Sequence, residues 1–403
     1  MIGFSMRQTQ LVIRTLEALA IAALLAACSS SGSSEKMTPS GGSLGSQIHS
    51  AKSAVGLVTN EFVYASNYGS DNVSAYKINP TSGVLTQIAG SPFATGAADN
   101  LAITIDPLGK FAYVANEGSD TVTGYTINPT SGVLTQVAGS PFVTDASPYG
   151  VAIDPMGRFA YVANDASNNV TAYTINPATG ALTLVAPFGA GTNPTAVAVD
   201  STSNFVFVVN NGSNNVSAYK INSMTGALTP VEGSPFATGN SPYPVAVSPN
   251  THHVYVGNYG SNTISAYKIN PTSGVLTQVA GSPFAAGTNP VGVAIDPSNK
   301  FAYVSNYSSN NISAYAINAT SGALTQVPNS PFSAGNPAGA AVSHASKFAY
   351  IADETGNSVS GYKINPFTGA LTPAAGSPFA AGSDPFAIAT CRSASGVCKP
   401  PPL

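Results

Sequence analysis

Phe111-Ala112-Tyr113-Val114-Ala115-Asn116 and Phe159-Ala160-Tyr161-Val162-Ala163-Asn164 are the same six residues, FAYVAN, written twice, 48 residues apart. Related segments run through the chain: FVYASN ends at Asn67, FVFVVN at Asn210, VYVGN at Asn258, FAYVSN at Asn306 and FAYIAD at Asp353. The steps between successive ends are 49, 48, 46, 48, 48 and 47 residues. A fixed period of this size is the mark of a repeat architecture.

Each period reads as four short strands. In the run 148–189, Gly150 to Asp154 is the first strand, followed by a turn at Pro155-Met156-Gly157. Phe159 to Asn164, Val170 to Ile175 and Ala181 to Val185 are the second, third and outer strands. β-Branched and aromatic residues bounded by Asn, Pro, Gly and Ser clusters fit strands and turns at this spacing.

A four-stranded unit of this length cannot bury both faces alone, and radial stacking of seven such units gives a seven-bladed β-propeller, an all-β fold. The first repeat begins at its second strand, while Ser383 to Thr390 (SDPFAIAT) matches the first strand of the others. The C-terminal strand is therefore expected to complete the first blade, with Ala54 to Val58 a weaker candidate for that place.

Ahead of the repeat, Arg7 and Arg14 precede the apolar run Ala18 to Ala27, which is too short to span a membrane and suits a secretory signal. Leu25-Ala26-Ala27-Cys28 resembles the lipobox of bacterial lipoproteins, which implies a lipid on Cys28. Residues 1–27 are then a signal peptide, and 28–54 a Ser/Gly-rich tether of roughly 25–30 Å root-mean-square reach. The propeller spans 55–392, with a tail at 393–403. A lipid-anchored place in the cell envelope follows as an expectation, and Ser29 resembles outer-membrane sorting. In that oxidising setting Cys391 and Cys398 can form a disulfide or stay free thiols.

Without residues 1–27 the chain has 12 basic and 16 acidic side chains. That balance argues against nucleic acid as a partner, and a monomer is expected.

The tract from about residue 60 to 390 resembles the YVTN-repeat propellers and the wider lactonase-like family, with its 6-phosphogluconolactonase and muconate-cycloisomerase-type members. That resemblance implies a lactonase working at the upper end or in the central channel on substrates whose phosphate or carboxylate groups need cations. The connectivity sorts the charges by end. Nine acids, Asp71, Asp99, Glu117, Asp120, Asp145, Asp165, Asp353, Glu354 and Asp384, fall on the end holding the second-to-third-strand loops, here called upper. No Lys, Arg or His does; His252, His253 and His344 belong to lower turns. The implied activity therefore cannot be transferred residue by residue, and no catalytic residue is assigned.

Other patterns carry little. SAYK at 74–77, 217–220 and 265–268 matches Ser-x-x-Lys, but residues three apart on a strand face opposite ways. The sequons at Asn72, Asn169 and Asn215 read as turn-to-strand chemistry. Asp165, Asp353 and Glu354 are the oxygen donors a calcium ion would use, but no D-x-D-x-D-G loop accompanies them, so no metal or cofactor is expected.

What remains is a ligand-binding upper end. Tyr68, Tyr149, Tyr243, Tyr259 and Tyr307, with Phe386 nearby, fall among Glu117, Asp165 and Glu354, a mixture suited to sugar rings or extended peptides. The preferred expectation is a membrane-tethered binding module for a glycan or protein. The identity of INPTSGVLTQVAGSPF at 127–142 and 269–284 favours a scaffold or a many-fold binding surface over a catalytic centre. The alternative is a lactonase hydrolysing a sugar lactone.

Overall fold

The second strand of every blade is buried end to end, Phe111–Asn116 being one instance, because both faces lie against neighbouring blades. Burial on both sides requires an unbroken apolar run, which is why these segments do not alternate. In the computed structural model, which describes residues 60–394 and 397–399, seven antiparallel sheets stand around one axis. Residues 1–59, with Cys28, the tether and the candidate strand at 54–58, lie outside the described residues.

The innermost strands are Asn100–Ile105, Pro148–Ile153, Pro194–Val199, Pro242–Val247, Pro290–Ile295, Pro337–Val342 and Pro385–Ala394, and each contacts the next around a closed ring. Pro385–Ala394 pairs with Glu61–Asn67, so the last blade-forming segment completes the first blade. The strand runs past the expected boundary at 392 and pairs with Val397–Lys399 in the expected tail. Among the described residues there is no α-helix, only a 3-10 turn at Glu117–Ser119.

One expectation about the blades needs correction. The run 148–189 is the exceptional blade: its outer strand is continuous from Leu182 to Gly189. In the other six the outer strand is broken into a three-residue and a two-residue piece, such as Leu134–Gln136 and Phe142–Val143, both pairing with the third strand. Between the pieces runs a Gly-Ser or Asn-Ser bend ending in a cis Ser-Pro bond, as at Ser140-Pro141. The third blade lacks these residues, which accounts for the 46-residue step.

Neighbouring blades are fastened by tyrosines. On the third strands, Tyr76, Tyr125, Tyr173, Tyr219, Tyr267, Tyr315 and Tyr362 each donate a hydroxyl hydrogen bond to a carbonyl of the preceding blade. On the second strands, six tyrosines reach the next blade's lower turn, Tyr113 to the Gly180 carbonyl at 2.8 Å and Tyr350 to Gly83 across the closure. Those turns need glycine: Gly180 has φ +77°, and a Cβ there would lie 2.5 Å from the Phe111 ring. All these bonds lie within residues 60–394, so the ring is self-contained.

Candidate functional site

At the top of each second strand sits a buried amide: Asn67, Asn116, Asn164, Asn210, Asn258 and Asn306, with Asp353 in the seventh blade. Each Asn Nδ2 donates across the hairpin, Asn210 to Asn215 Oδ1 at 2.7 Å and to Ser217 Oγ at 2.9 Å. Asp353 accepts instead, from Ser358 and Ser360. Ser74, Ser217 and Ser265 of the SAYK tetrads are hydrogen-bonded partners in this scaffold, while Lys77, Lys220 and Lys268 are exposed to solvent.

One residue further on, the backbone N–H donates to a carbonyl of the loop feeding the inner strand, as Glu117 does to Asp99 at 2.8 Å and Glu354 to Asn336 at 3.0 Å. This repeated bond sets an upper ring of Tyr68, Glu117, Asp165, Asn211, Tyr259, Tyr307 and Glu354. Just inside it, the second residue of each inner strand gives Leu101, Tyr149, Thr195, Tyr243, Val291, Ala338 and Phe386.

The channel between these rings is divided by aromatic side chains. Tyr149 and Tyr243 meet edge to face with centroids 5.7 Å apart, and Phe386 lies 6.2 Å from Tyr149. The Tyr243 hydroxyl donates to the Tyr149 oxygen at 2.6 Å. Thr195 Oγ1 and Asn211 Nδ2 donate to the carbonyls of Tyr243 and Pro242, each at 3.1 Å, which fixes the backbone carrying Tyr243. Burial pushes the Tyr149 phenol up to about 12, opposed by the bond from Tyr243, and holds Tyr243 well above the ordinary tyrosine range.

Above this floor, displaced toward the fourth to seventh blades, is a cavity of about 400 Å³ lined by Asn211, Ser241, Tyr243, Tyr259, Val291, Tyr307, Ala338, Glu354 and Phe386. Below it the channel widens into a cavity of about 280 Å³ walled almost wholly by Ile, Val and Ala. Only the upper one carries chemistry. Burial, then the nearby Asp384 carboxylate, raises the Glu354 pKa above the ordinary glutamate value. Glu117 is raised by burial and by Asp99 and Asp165.

The eight residues singled out from sequence therefore separate. Tyr243, Tyr259, Tyr307 and Glu354 share the cavity, and Tyr149 stands behind Tyr243, outside the lining. Tyr68, Glu117 and Asp165 stand on the part of the ring formed by blades one to three, outside the cavity lining. Asn211, Ser241, Val291 and Ala338 were missed, although Asn211 holds the same place after a repeat Asn as Tyr259 and Glu354. The calcium donors do not converge: Asp353 is buried on its serines, and among the described residues no group of three metal-ligating side chains assembles. Asp106, Asp154, Asp200 and Asp296 cap the lower turns, each accepting from two backbone N–H groups or more. Cys391 is buried and disulfide-bonded, whereas the side chain of Cys398 lies outside the described residues.

The repeated stretch 127–142 also finds its place. It forms a lower turn and the outer strand, away from the cavity, so its identity with 269–284 bears on the scaffold and not on the site.

The sequence matches the family model described as lactonase, seven-bladed β-propeller, in six overlapping segments: 35–147, 91–198, 139–243, 187–288, 234–338 and 279–384. The chain belongs to this family. No curated protein matches it. Among solved structures, this lactonase-family propeller is similar to a candidate 6-phosphogluconolactonase of Bacteroides uniformis, with TM-score 0.72 and 16% identity over 82% of this chain and 99% of that one. The periplasmic gluconolactonase of Pseudomonas aeruginosa gives 0.69 and 18% over 82% and 99%. The hydrazine synthase of Kuenenia stuttgartiensis gives 0.57 and 17% over 76% and 95%. At these identities the likeness is one of fold, a fold that hosts unrelated chemistry.

Proposed function

We propose that this propeller hydrolyses an uncharged sugar lactone in its upper cavity, with Glu354 as general base. The observation that carries the reading is one half-buried carboxylate of raised pKa in a cavity otherwise made of tyrosine, phenylalanine, amide and small side chains. Aromatic faces suit the apolar side of a sugar ring, and a base is most effective when its pKa is raised toward working pH. Family membership supports the reaction class.

In this scheme Glu354 takes a proton from a water whose oxygen adds to the lactone carbonyl carbon. The ring C–O bond then breaks, and the proton passes to the departing ring oxygen as it becomes a hydroxyl. The Tyr243–Tyr149 hydrogen bond fixes the Tyr243 ring, which lines the cavity, as the surface on which the sugar ring rests. Among the described residues no Lys, Arg or His lines the cavity, so a phosphate on the substrate would lack a partner. The proposal also places the chain in the cell envelope, held by a lipid on Cys28.

A second reading is favoured by the half-buried Tyr259 and Tyr307, which line the cavity together with Asn211: a glycan- or protein-binding module without turnover. Steady-state hydrolysis of glucono-δ-lactone and of 6-phosphogluconolactone, each corrected for the spontaneous reaction, separates the two. Saturable turnover of the uncharged lactone, lost in Glu354→Gln, supports hydrolysis. Binding without turnover leaves the module, and preference for the phosphorylated lactone sinks the assignment of an uncharged substrate.

A further inference from the structure

Of the large apolar side chains that face solvent, Val143 and Leu184 lie on outer strands and Tyr68 at the upper end, and the rest are at the lower end. Four of its side chains are large, apolar and solvent-facing: Leu108 (44% exposed) and Met156 (64%) in first-to-second-strand hairpins, and Met224 (89%) and Phe367 (91%) at the tips of third-to-outer-strand hairpins. Tip positions in the first, second, fifth and sixth blades carry Thr81, Thr130, Thr272 and Thr320, so neither Met224 nor Phe367 is required by the turn. The turn itself is made by an Asn whose Oδ1 accepts from the tip N–H, Asn222 for Met224 and Asn365 for Phe367, both at 3.0 Å.

The charges around these side chains have one sign. Lys110, Lys300 and Lys347 stand exposed in the first-to-second-strand hairpins, and Lys220, Lys268 and Lys363 near the lower ends of third strands. The carboxylates at this end, Glu61, Asp106, Asp154, Asp200 and Asp296, are all 8% exposed or less. Solvent therefore meets an end that is cationic and studded with apolar tips.

We infer that the lower end is a membrane-docking surface that sits on an anionic bilayer. Exposed Met and Phe set in separate blades around a ring can enter one headgroup plane together, while lysines pair with anionic lipid phosphates and keep their charge in water. A protein partner would instead call for a contiguous apolar patch with complementary acids and bases. Here the apolar tips of the fourth and seventh blades are separated by intervening blades, and the accessible charge is of one sign.

Vesicle sedimentation tests this, with residues 57–403, which hold the whole closed ring and lack the apolar N-terminal run. Binding is expected to vesicles of phosphatidylcholine mixed with phosphatidylglycerol, to fall at high salt, and to be negligible on phosphatidylcholine alone. Met224→Thr with Phe367→Thr restores the tip residue of four other blades, so the fold is kept, and should weaken binding roughly tenfold. Lys220→Glu with Lys363→Glu should remove it at unchanged melting temperature. Absence of binding to either vesicle, equal binding to both, or unaltered binding by the Thr variant would overturn the inference.

Discussion

Two rings of side chains at the upper end lie one residue apart along the chain and differ in kind. The buried ring is Asn in six blades and Asp in the seventh, and its members hold their own hairpins. The next ring runs Tyr, Glu, Asp, Asn, Tyr, Tyr, Glu from the first blade to the seventh. Seven blades of one chain act as seven trials of the same local structure. Positions where they agree are those the backbone demands, and positions where they diverge, while still facing a shared space, are free to hold chemistry. Divergence in the two rings that face the upper channel, this one and that of the second inner-strand residues, locates a site without any second sequence.

The largest effect should come from Glu354→Gln in the divergent ring. A loss of roughly 10²–10⁴-fold in kcat on glucono-δ-lactone is expected, with the thermal midpoint unchanged. The wild-type rate should fall as pH drops through a Glu354 pKa that lies above the ordinary 4.5, because protonation removes the base. The variant should lack that acid limb.

Next in size is the buried ring. Asn210→Ala removes both Nδ2 bonds and the one its Oδ1 accepts from Gly191 N–H at 3.1 Å. It should cost about 2–4 kcal/mol in urea unfolding. Tyr243→Phe keeps the aromatic floor but withdraws the bond to Tyr149 that fixes the ring, so kcat/KM should drop roughly tenfold, about 1.4 kcal/mol of activation free energy. Asn211→Ala should be mildest, about 0.5–1 kcal/mol, since it loses one partly exposed bond to Pro242. If Asn210→Ala and Asn211→Ala proved equally destabilising, the distinction between the rings would fail.

Much of this was legible in the sequence, and for a definite reason. The 46–49-residue period repeats a segment whose unbroken apolar run can only be buried on both sides, which dictates stacked blades and their number. The match of Ser383 to Thr390 to the other first strands showed where the ring closes. The outer strand was misread because the third blade, taken as typical, lacks the Ser-Pro bend that splits it elsewhere. Placing Tyr243, Tyr259, Tyr307 and Glu354 at the upper end needed only strand alternation and loop order. Their convergence, without Tyr68, Glu117 and Asp165, depends on the Tyr149–Tyr243–Phe386 contact that partitions the channel, and side-chain packing across an axis leaves no trace in spacing. The weight given to the identical stretch 127–142 failed likewise, since identity does not say whether a segment lies inside or outside.

Ser66 Oγ of the first blade accepts from the Ala387 N–H, 321 residues downstream. At about 5–20 residues per second, a ribosome makes the second partner roughly 15–60 s after the first. Throughout that interval the opening blade has no innermost strand and the ring has no seam to close. The nascent polypeptide thus cannot close its ring until its final segment emerges, so the first blade waits on the last stretch of chain.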